Sequence, residues 1–282
     1  MSLKIETVNL CDGFSDERRI PDIFEEFEEI QPDIAVFPEA YKEGEERYLD
    51  DVKAIFDQQG YVAVQQLYND ADNRQDRHGL IIAARHELAL AYEPVRLAMS
   101  RSALQLLTYD PETEAQIDFY GVHFKDRPAP VRYEEAASLL EYVDPDRAAV
   151  VAGDFNNMKR SGRATVLRAM GHVAGKFPQH EPGTPKPAKM MSRDGFRYVP
   201  ARLASLFSRL GEMARGDVID AMMESGFYDD DQDHSPTMSN KFPVAKIDLV
   251  VARKLRVHDQ TTRKNRYTDH RTLVASVSSV DQ

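Results

Sequence analysis

The sequence predicts an α/β protein built on mixed β-sheets, and three observations point there. Short apolar runs alternate with longer stretches of helical periodicity, strand patterns in the middle of the chain follow one another directly, and no internal repeat or long linker divides the 282 residues. A uniform βαβ succession would give an all-parallel sheet, whereas consecutive strands call for antiparallel neighbours as well. A chain of this length buries a proper core, and residues 1–282 read as one domain.

The elements are read in chain order. LKIETVN (3–9) alternates as a strand. PDIFEEFEEI (21–30) puts Ile23, Phe24, Phe27 and Ile30 on one side of a helix and leaves its glutamates outside. DIAVF (33–37) is a buried strand and 45–59 a helix. Strand patterns follow at 61–67, 79–85, 87–91, 103–108 and 116–124. A helix over 132–143 carries Ala136, Leu139, Leu140 and Val143 at helical spacing, and AAVVAG (148–153) is a fully apolar strand. Helical stretches are predicted near 161–170, 201–213 and 217–224, and strands at 246–252 and 272–277. Residues 176–200, with KFPQHEPGTPKPAK, carry too much proline and charge for a core and read as an exposed insertion.

Composition excludes several classes. Hydrophobic residues at 42% and charged residues at 29% exclude a disordered chain, and nowhere do about 18 apolar residues run together as a membrane span requires. MSLKIETVNL lacks the pattern of a secretory leader, and a cytoplasmic location is expected. The single cysteine, Cys11, excludes an intrachain disulfide and a thiolate metal cluster, and is expected to be a small buried hydrophobe. The net charge of −11 is uneven: residues 12–57 hold 16 acidic and 5 basic side chains, whereas 157–216 hold 12 basic and 3 acidic. The acidic block reads as a solvated helix face. The basic block is a candidate interaction surface.

Chemistry enters where apolar strands stop, because polar residues recur at those ends. Asn9 follows Leu3, Ile5 and Thr7 on one strand face, Glu39 emerges from the run AVFP, and His123 shares a face with Ile117 and Phe119. GDFNN places Asp154 and Asn156 two apart, on one side if the chain stays extended. Asp248 stands between Ile247 and Leu249, where an ionised carboxylate is costly unless paired, and His270 is a chemically suitable partner. Asp269 and His270 immediately precede the last strand. Each has a plainer reading taken alone: Asn9 in a turn, Glu39 at a helix cap, His123 as a satisfied core histidine.

The blocks ETVNL (6–10), PDIAVFPE (32–39), VHF (122–124), VVAGDFNN (150–157), KIDLVV (246–251) and TDH (268–270) resemble, in order and across almost the whole chain, those of the endonuclease/exonuclease/phosphatase superfamily, which includes deoxyribonuclease I-like and exonuclease III-like enzymes. The resemblance implies a four-layer α/β/β/α sandwich of two mixed sheets flanked by helices, and the basic helical insertion at about 157–216 departs from it, being longer than compact members need. Pro38 stands where the family usually has Gln, and His78 where the deoxyribonuclease branch has a Glu supporting its first histidine, so that support for His123 is in question.

The function this implies is divalent-metal-dependent phosphoester hydrolysis. Glu39, Asn9 and Asp269 offer hard oxygen ligands suited to Mg²⁺ or Mn²⁺. His270 oriented by Asp248 is the general base or the phosphate ligand, the second if Asp154 is the base, and Asn156 and His123 donate to the charged transition state. A nucleic-acid phosphodiester is the favoured substrate, with Arg193, Arg197 and Arg202 of the insertion as candidate contacts. The alternatives are a phospholipid or inositol-phosphate ester, for which Leu203, Leu206, Phe207 and Leu210 form a stripe compatible with a membrane surface, and a non-catalytic binding protein. The plainer reading of the insertion is an accessory helix docked on its own domain. No obligate protein partner is readable.

Overall fold

The computed structural model describes residues 2–67, 78–97, 102–125, 129–157, 188–189, 198–199, 217–228, 237 and 247–280. Two mixed sheets pack face to face with helices outside them. The first contains β1 (Leu3–Thr7), β2 (Ile34–Lys42), β3 (Tyr61–Leu67), β4 (His78–Arg85), β12 (Leu255–Arg263) and β13 (Thr272–Ser279), in the order β12-β13-β1-β2-β4-β3. The second contains β5 (Ala91–Arg96), β6 (Ser102–Tyr109), β7 (Gln116–His123), β8 (Ala148–Asp154) and β11 (Asp248–Arg253), in the order β11-β8-β7-β6-β5. Each has one parallel pair, β1 with β2 and β7 with β8, and is otherwise antiparallel. Two-residue strands β9 (Ala188–Lys189) and β10 (Tyr198–Val199) pair with each other.

Three apolar cores separate four layers, and strand alternation supplies them. In β2, Ile34 and Val36 join Ile5, Ile82, Phe119, Val150 and Val250 in the core between the sheets, while Ala35 and Phe37 face the other way. That outer face is covered by α1 (Ile20–Ile30) and α2 (Leu49–Gln58), which deliver Ile23, Phe24, Phe27, Val52 and Phe56. Phe14, Phe24, Phe27, Phe37 and Phe56 form an edge-to-face aromatic cluster in which Phe24 and Phe56 lie 4.8 Å apart. On the far side, α3 (Ala129–Tyr142) and α4 (Asp217–Glu224) bury Ala136, Leu139, Val218 and Met222 against Tyr120, Val122 and Val151. Among the described residues no helix is long and apolar enough to cross a membrane.

The structure departs from the sequence reading at several elements. The run 87–91 is not a strand: His86–Leu88 is a 3-10 turn and the strand is β5, whose Pro94 is tolerated because β5 is a sheet edge. β12 went unpredicted because LRVHDQTTR is polar and its pairing is interrupted between His258 and Thr261, which blurs the alternation. The helix at 45–59 is a 3-10 turn, Glu46–Tyr48, followed by α2. Cys11 is exposed, not a buried hydrophobe. The helices at 161–170 and 201–213, and the basic segment apart from Asn157, β9 and β10, lie outside the described residues.

Direction of travel puts the functional candidates at one end. β1, β7 and β8 all finish there, and β13 and β11, antiparallel to β1 and β8, start there. Gly153 permits the close approach of β8 to β7: its φ is +141°, and a Cβ would fall 2.0 Å from the Val122 carbonyl oxygen.

One further carboxyl is buried on the outer face of the first sheet. Glu6 on β1 points toward α1, and burial, reinforced by the charge of Glu26 and opposed by Arg263, pushes its pKa from 4.5 up to about 8. The folded protein therefore holds this proton at pH values where the unfolded chain has released it. The stability it confers is complete below 4.5 and is lost as pH rises to about 8. Glu6→Gln should accordingly melt progressively higher than wild type as pH rises from 5 to 8. Thermal unfolding of both proteins across that interval measures the difference, and a constant offset would contradict it.

Candidate active site

β8 ends at Asp154, the centre of the arrangement. Its cross-strand neighbours are His123 on β7 and Asp248 on β11, so sheet register alone sets three of the candidates side by side. Asp154 Oδ2 accepts a hydrogen bond from Asn9 Nδ2 at 2.9 Å, which ties the second sheet to the end of β1 across 145 residues of sequence. His123 Nε2 lies 3.8 Å from Asp154 Oδ2 and 3.5 Å from Glu39 Oε1. Glu39, whose side chain is 25% exposed, presents its carboxylate between the buried group and solvent.

Asn156 reaches the site by a turn. Its φ is +47° and its amide N–H donates to Asp154 Oδ1 at 2.8 Å, closing an Asx turn. The side chain then folds back, with Nδ2 donating to the Phe124 carbonyl at 2.9 Å and lying 3.1 Å from His123 Nε2. The extended chain expected for GDFNN is therefore replaced by a turn, and Asn156 still arrives beside His123.

Asp248 and His270 form the pair that burial demands. Asp248 Oδ2 lies 2.8 Å from His270 Nδ1, and the Asp248 side chain is 0% exposed. The potential ligand atoms of Asp154, Asp248 and His270 lie within 4.8 Å of one another. Asp269 points to solvent, with Oδ1 3.5 Å from Thr268 Oγ1. Arg193, Arg197 and Arg202 lie outside the described residues. The structure thus gathers Asn9, Glu39, His123, Asp154, Asn156, Asp248 and His270 at one end of the sandwich.

Three supporting residues were given no role in the sequence reading, although Thr268 stands in its TDH block. Thr237 Oγ1 accepts from the amides of both Ile247 and Asp248 at 3.0 Å, and its carbonyl accepts from Arg271 N, so this threonine clasps the start of β11 to the approach to β13. Asn265 Nδ2 donates to the His270 carbonyl at 3.0 Å, and Thr268 Oγ1 donates to the Asn9 carbonyl at 2.8 Å. All three stand in polar stretches with no periodicity to mark them.

The electrostatics follow from burial. Desolvation, then the charge of Asp248, pushes the Asp154 carboxyl from 3.8 up to about 7, against the opposing influence of His270 and the Asn9 and Asn156 hydrogen bonds. Burial disfavours the charged His270 ring, yet the Asp248 charge and hydrogen bond, joined by Asp154 and Asp269, carry its pKa from 6.5 up to about 10. Asp248 Oδ1 finds no hydrogen-bond donor among the described residues. Among the described residues the site thus collects more buried carboxylate than its cations offset, and an oxygen-rich donor set of this kind fits a hard divalent cation.

The architecture has well-defined structural relatives. No protein-family model and no curated protein matches the chain. Among solved structures it is similar to the endonuclease/exonuclease/phosphatase from Beutenbergia cavernae, with a TM-score of 0.66 at 17% identity over 99% of this chain and 72% of that one. It is similar to the human Nocturnin catalytic domain with bound sulfate anion, with a TM-score of 0.59 at 15% identity over 99% and 94%. An endonuclease/exonuclease/phosphatase family protein from Leptotrichia buccalis gives 0.62 at 14% over 98% and 99%. The likeness extends over the whole chain and establishes the shared fold of two mixed sheets flanked by helices.

Thr237→Val keeps the shape of the clasp and removes the oxygen on which two buried amides depend. It should lower stability by about 1–3 kcal/mol, the range for orphaning a buried donor. Urea denaturation measures the loss, and stability equal to wild type would show that the clasp is dispensable.

Proposed function

We propose that the protein is a divalent-metal-dependent phosphoester hydrolase. The observation that carries this reading is the meeting of Glu39, His123 and Asp154 with the Asp248–His270 pair at one end of a sandwich whose relatives include proteins described as endonuclease/exonuclease/phosphatase. Glu39, Asn9 and Asp269 would hold Mg²⁺ or Mn²⁺, which when bound supplies neutralising charge to phosphoryl oxygens.

The protein's own groups divide the remaining work. Asp248 fixes the His270 ring through Nδ1 and favours its charged form, and a charged imidazole is a suitable donor to an anionic phosphoester. His270 is accordingly read as the phosphate ligand. Asp154, held by Asn9 and by the Asn156 amide, is read as the base that takes a proton from the attacking water. Asn156 Nδ2 donates to His123 Nε2 at 3.1 Å, and the two are read as donors to oxygen atoms that gain charge during reaction once a substrate oxygen takes the place of that contact. Metal and hydrogen-bond positioning would carry most of the acceleration, since general base catalysis contributes typically ~10²–10⁴-fold.

For the substrate, a nucleic-acid phosphodiester is favoured. The basic segment 157–216 leaves directly from the Asp154–Asn156 turn and so begins beside the site. The sulfate bound by the Nocturnin catalytic domain supports oxyanion binding within this fold.

The test is a substrate panel: single-stranded and duplex DNA, RNA, sphingomyelin, an inositol phosphate and chromogenic mono- and diesters, each with Mg²⁺, Mn²⁺ or chelator. Hydrolysis of at least one ester should require metal. Glu39→Gln should nearly abolish hydrolysis while leaving the melting temperature close to wild type, and His270→Ala should lower turnover by several orders of magnitude. Chelator-resistant activity, or full activity of Glu39→Gln, would remove the metal reading. Cleavage of sphingomyelin in preference to nucleic acid would transfer the substrate assignment to lipids.

A further inference from the structure

β2 does not run straight past β4. Pairing is regular from Ile34 with Ala84 to Phe37 with Ile81, breaks, and resumes at Tyr41 with Gly79 and Lys42 with His78. The break is a bulge, and Glu39 lies within it with φ at +46°. A non-glycine residue in this left-handed region costs free energy, so the surrounding contacts must hold it there.

Those contacts come from the loop after β1. Leu10 N donates to the Pro38 carbonyl at 2.9 Å and Asp12 N to the Glu39 carbonyl at 2.7 Å. The donor segment is itself strained, since Cys11 and Asp12 have φ of +49° and +62°. Consecutive left-handed residues thus brace a third, and something must fix the brace. The Asp12 carboxylate provides the link: its Oδ1 lies 2.6 Å from His78 Nδ1, at the residue facing Lys42 across the resumed ladder. Beside it, Gly79 makes room for the Tyr41 ring, for a Cβ there would sit 2.0 Å from the ring carbon. On the other flank Lys42 N donates to Ser15 Oγ at 3.1 Å. Backbone and side chains close a circuit that runs from Glu39 through Asp12 and His78 to Lys42 and back along β2.

We propose that the Asp12–His78 pair positions Glu39, locking the bulge that aims its carboxylate at the space beside His123. The proposal rests on the reading of Glu39 as a metal-binding carboxylate. It assigns a role to His78, whose Nδ1 meets the Asp12 carboxylate at 2.6 Å. Asp12 and His78 side chains are only 28% and 18% exposed, so the pair is shielded enough to hold its geometry, unlike a surface ion pair.

The experiment compares wild type with Asp12→Ala, Asp12→Asn, His78→Ala, His78→Gln, the Asp12→Ala/His78→Ala double variant, and Glu39→Gln. Three quantities are measured: Mn²⁺ affinity by titration calorimetry without substrate, melting temperature, and kcat and KM on whichever soluble ester the panel identifies. Loss of an outer partner of a metal ligand typically costs 10–100-fold in metal affinity or activity. Asp12→Ala and His78→Ala should each weaken Mn²⁺ binding by that factor and lower kcat with KM nearly unchanged. Asp12→Asn should recover much of the loss, because its amide oxygen still accepts from a ring N–H, and His78→Gln should exceed His78→Ala because its amide N–H can still donate to the Asp12 carboxylate. The double variant should be no worse than the poorer single, as expected for one coupled pair.

Wild-type Mn²⁺ affinity and kcat in the alanine variants, with a lowered melting temperature alone, would reduce the pair to a structural brace and overturn the proposal. A raised KM at unchanged Mn²⁺ affinity would assign the pair to substrate contact and overturn it equally. Wild-type Mn²⁺ binding and activity in Glu39→Gln would refute the role of Glu39 itself. An inactive Glu39→Gln beside wild-type Asp12→Ala and His78→Ala refutes only the positioning pair.

Discussion

A carboxylate with no exposure to water begins a strand whose next four residues are apolar and buried, and the functional end of the molecule is organised around the partner it requires. Asp248 on β11 belongs to one sheet and His270, just before β13, to the other, so their 2.8 Å contact joins the two sheets where the site lies. Removing either group would leave a buried charge without its counterpart, a cost of several kcal/mol. The clasp at Thr237 and the Asn265 bond to the His270 carbonyl hold the backbone on both sides of that contact. The pair therefore serves position as well as chemistry.

Around this contact the four layers act as a rigid frame. Three separate apolar cores fix the spacing of the sheets and helices, and register then fixes neighbours: once β8 lies between β7 and β11, Asp154 lies between His123 and Asp248. At the bulge in β2 the frame yields to aim a side chain. Its strain is confined to Glu39 and to the two residues of the opposing loop, and is offset by regular pairing on either side.

The electrostatic character of the site comes from the same burial. Asp154 and Asp248 share a poorly solvated space with His270, so the carboxyl of one and the imidazole of the other both hold protons to unusually high pH. Groups displaced in this way cluster at functional sites, because chemistry needs charge where water would otherwise screen it. Glu6 shows another carboxyl raised by burial, on the face of β1 toward α1, and its shift bears on stability.

Local pattern was sufficient for much of this. Apolar alternation identified most strands and the two helices on the first sheet, since the face a side chain occupies is set by its own few neighbours. The polar residues at strand ends were visible for the same reason, and Asp248 announced its need of a partner because a lone carboxylate among strand apolars is costly. Beyond the Asp248–His270 pair, which the sequence already suggested, tertiary structure decided who meets whom. Asn9 reaches Asp154 over 145 residues, His78 turns to Asp12 over 66, and Asn156 comes to His123 through a turn that an extended reading misses. Thr237 gave no signal, since a threonine in a polar loop becomes a clasp only when two strand ends arrive beside it. Polar edge strands such as β12 were hidden for a related reason: their pairing is specified by the strand next to them, and their own alternation is broken by a bulge.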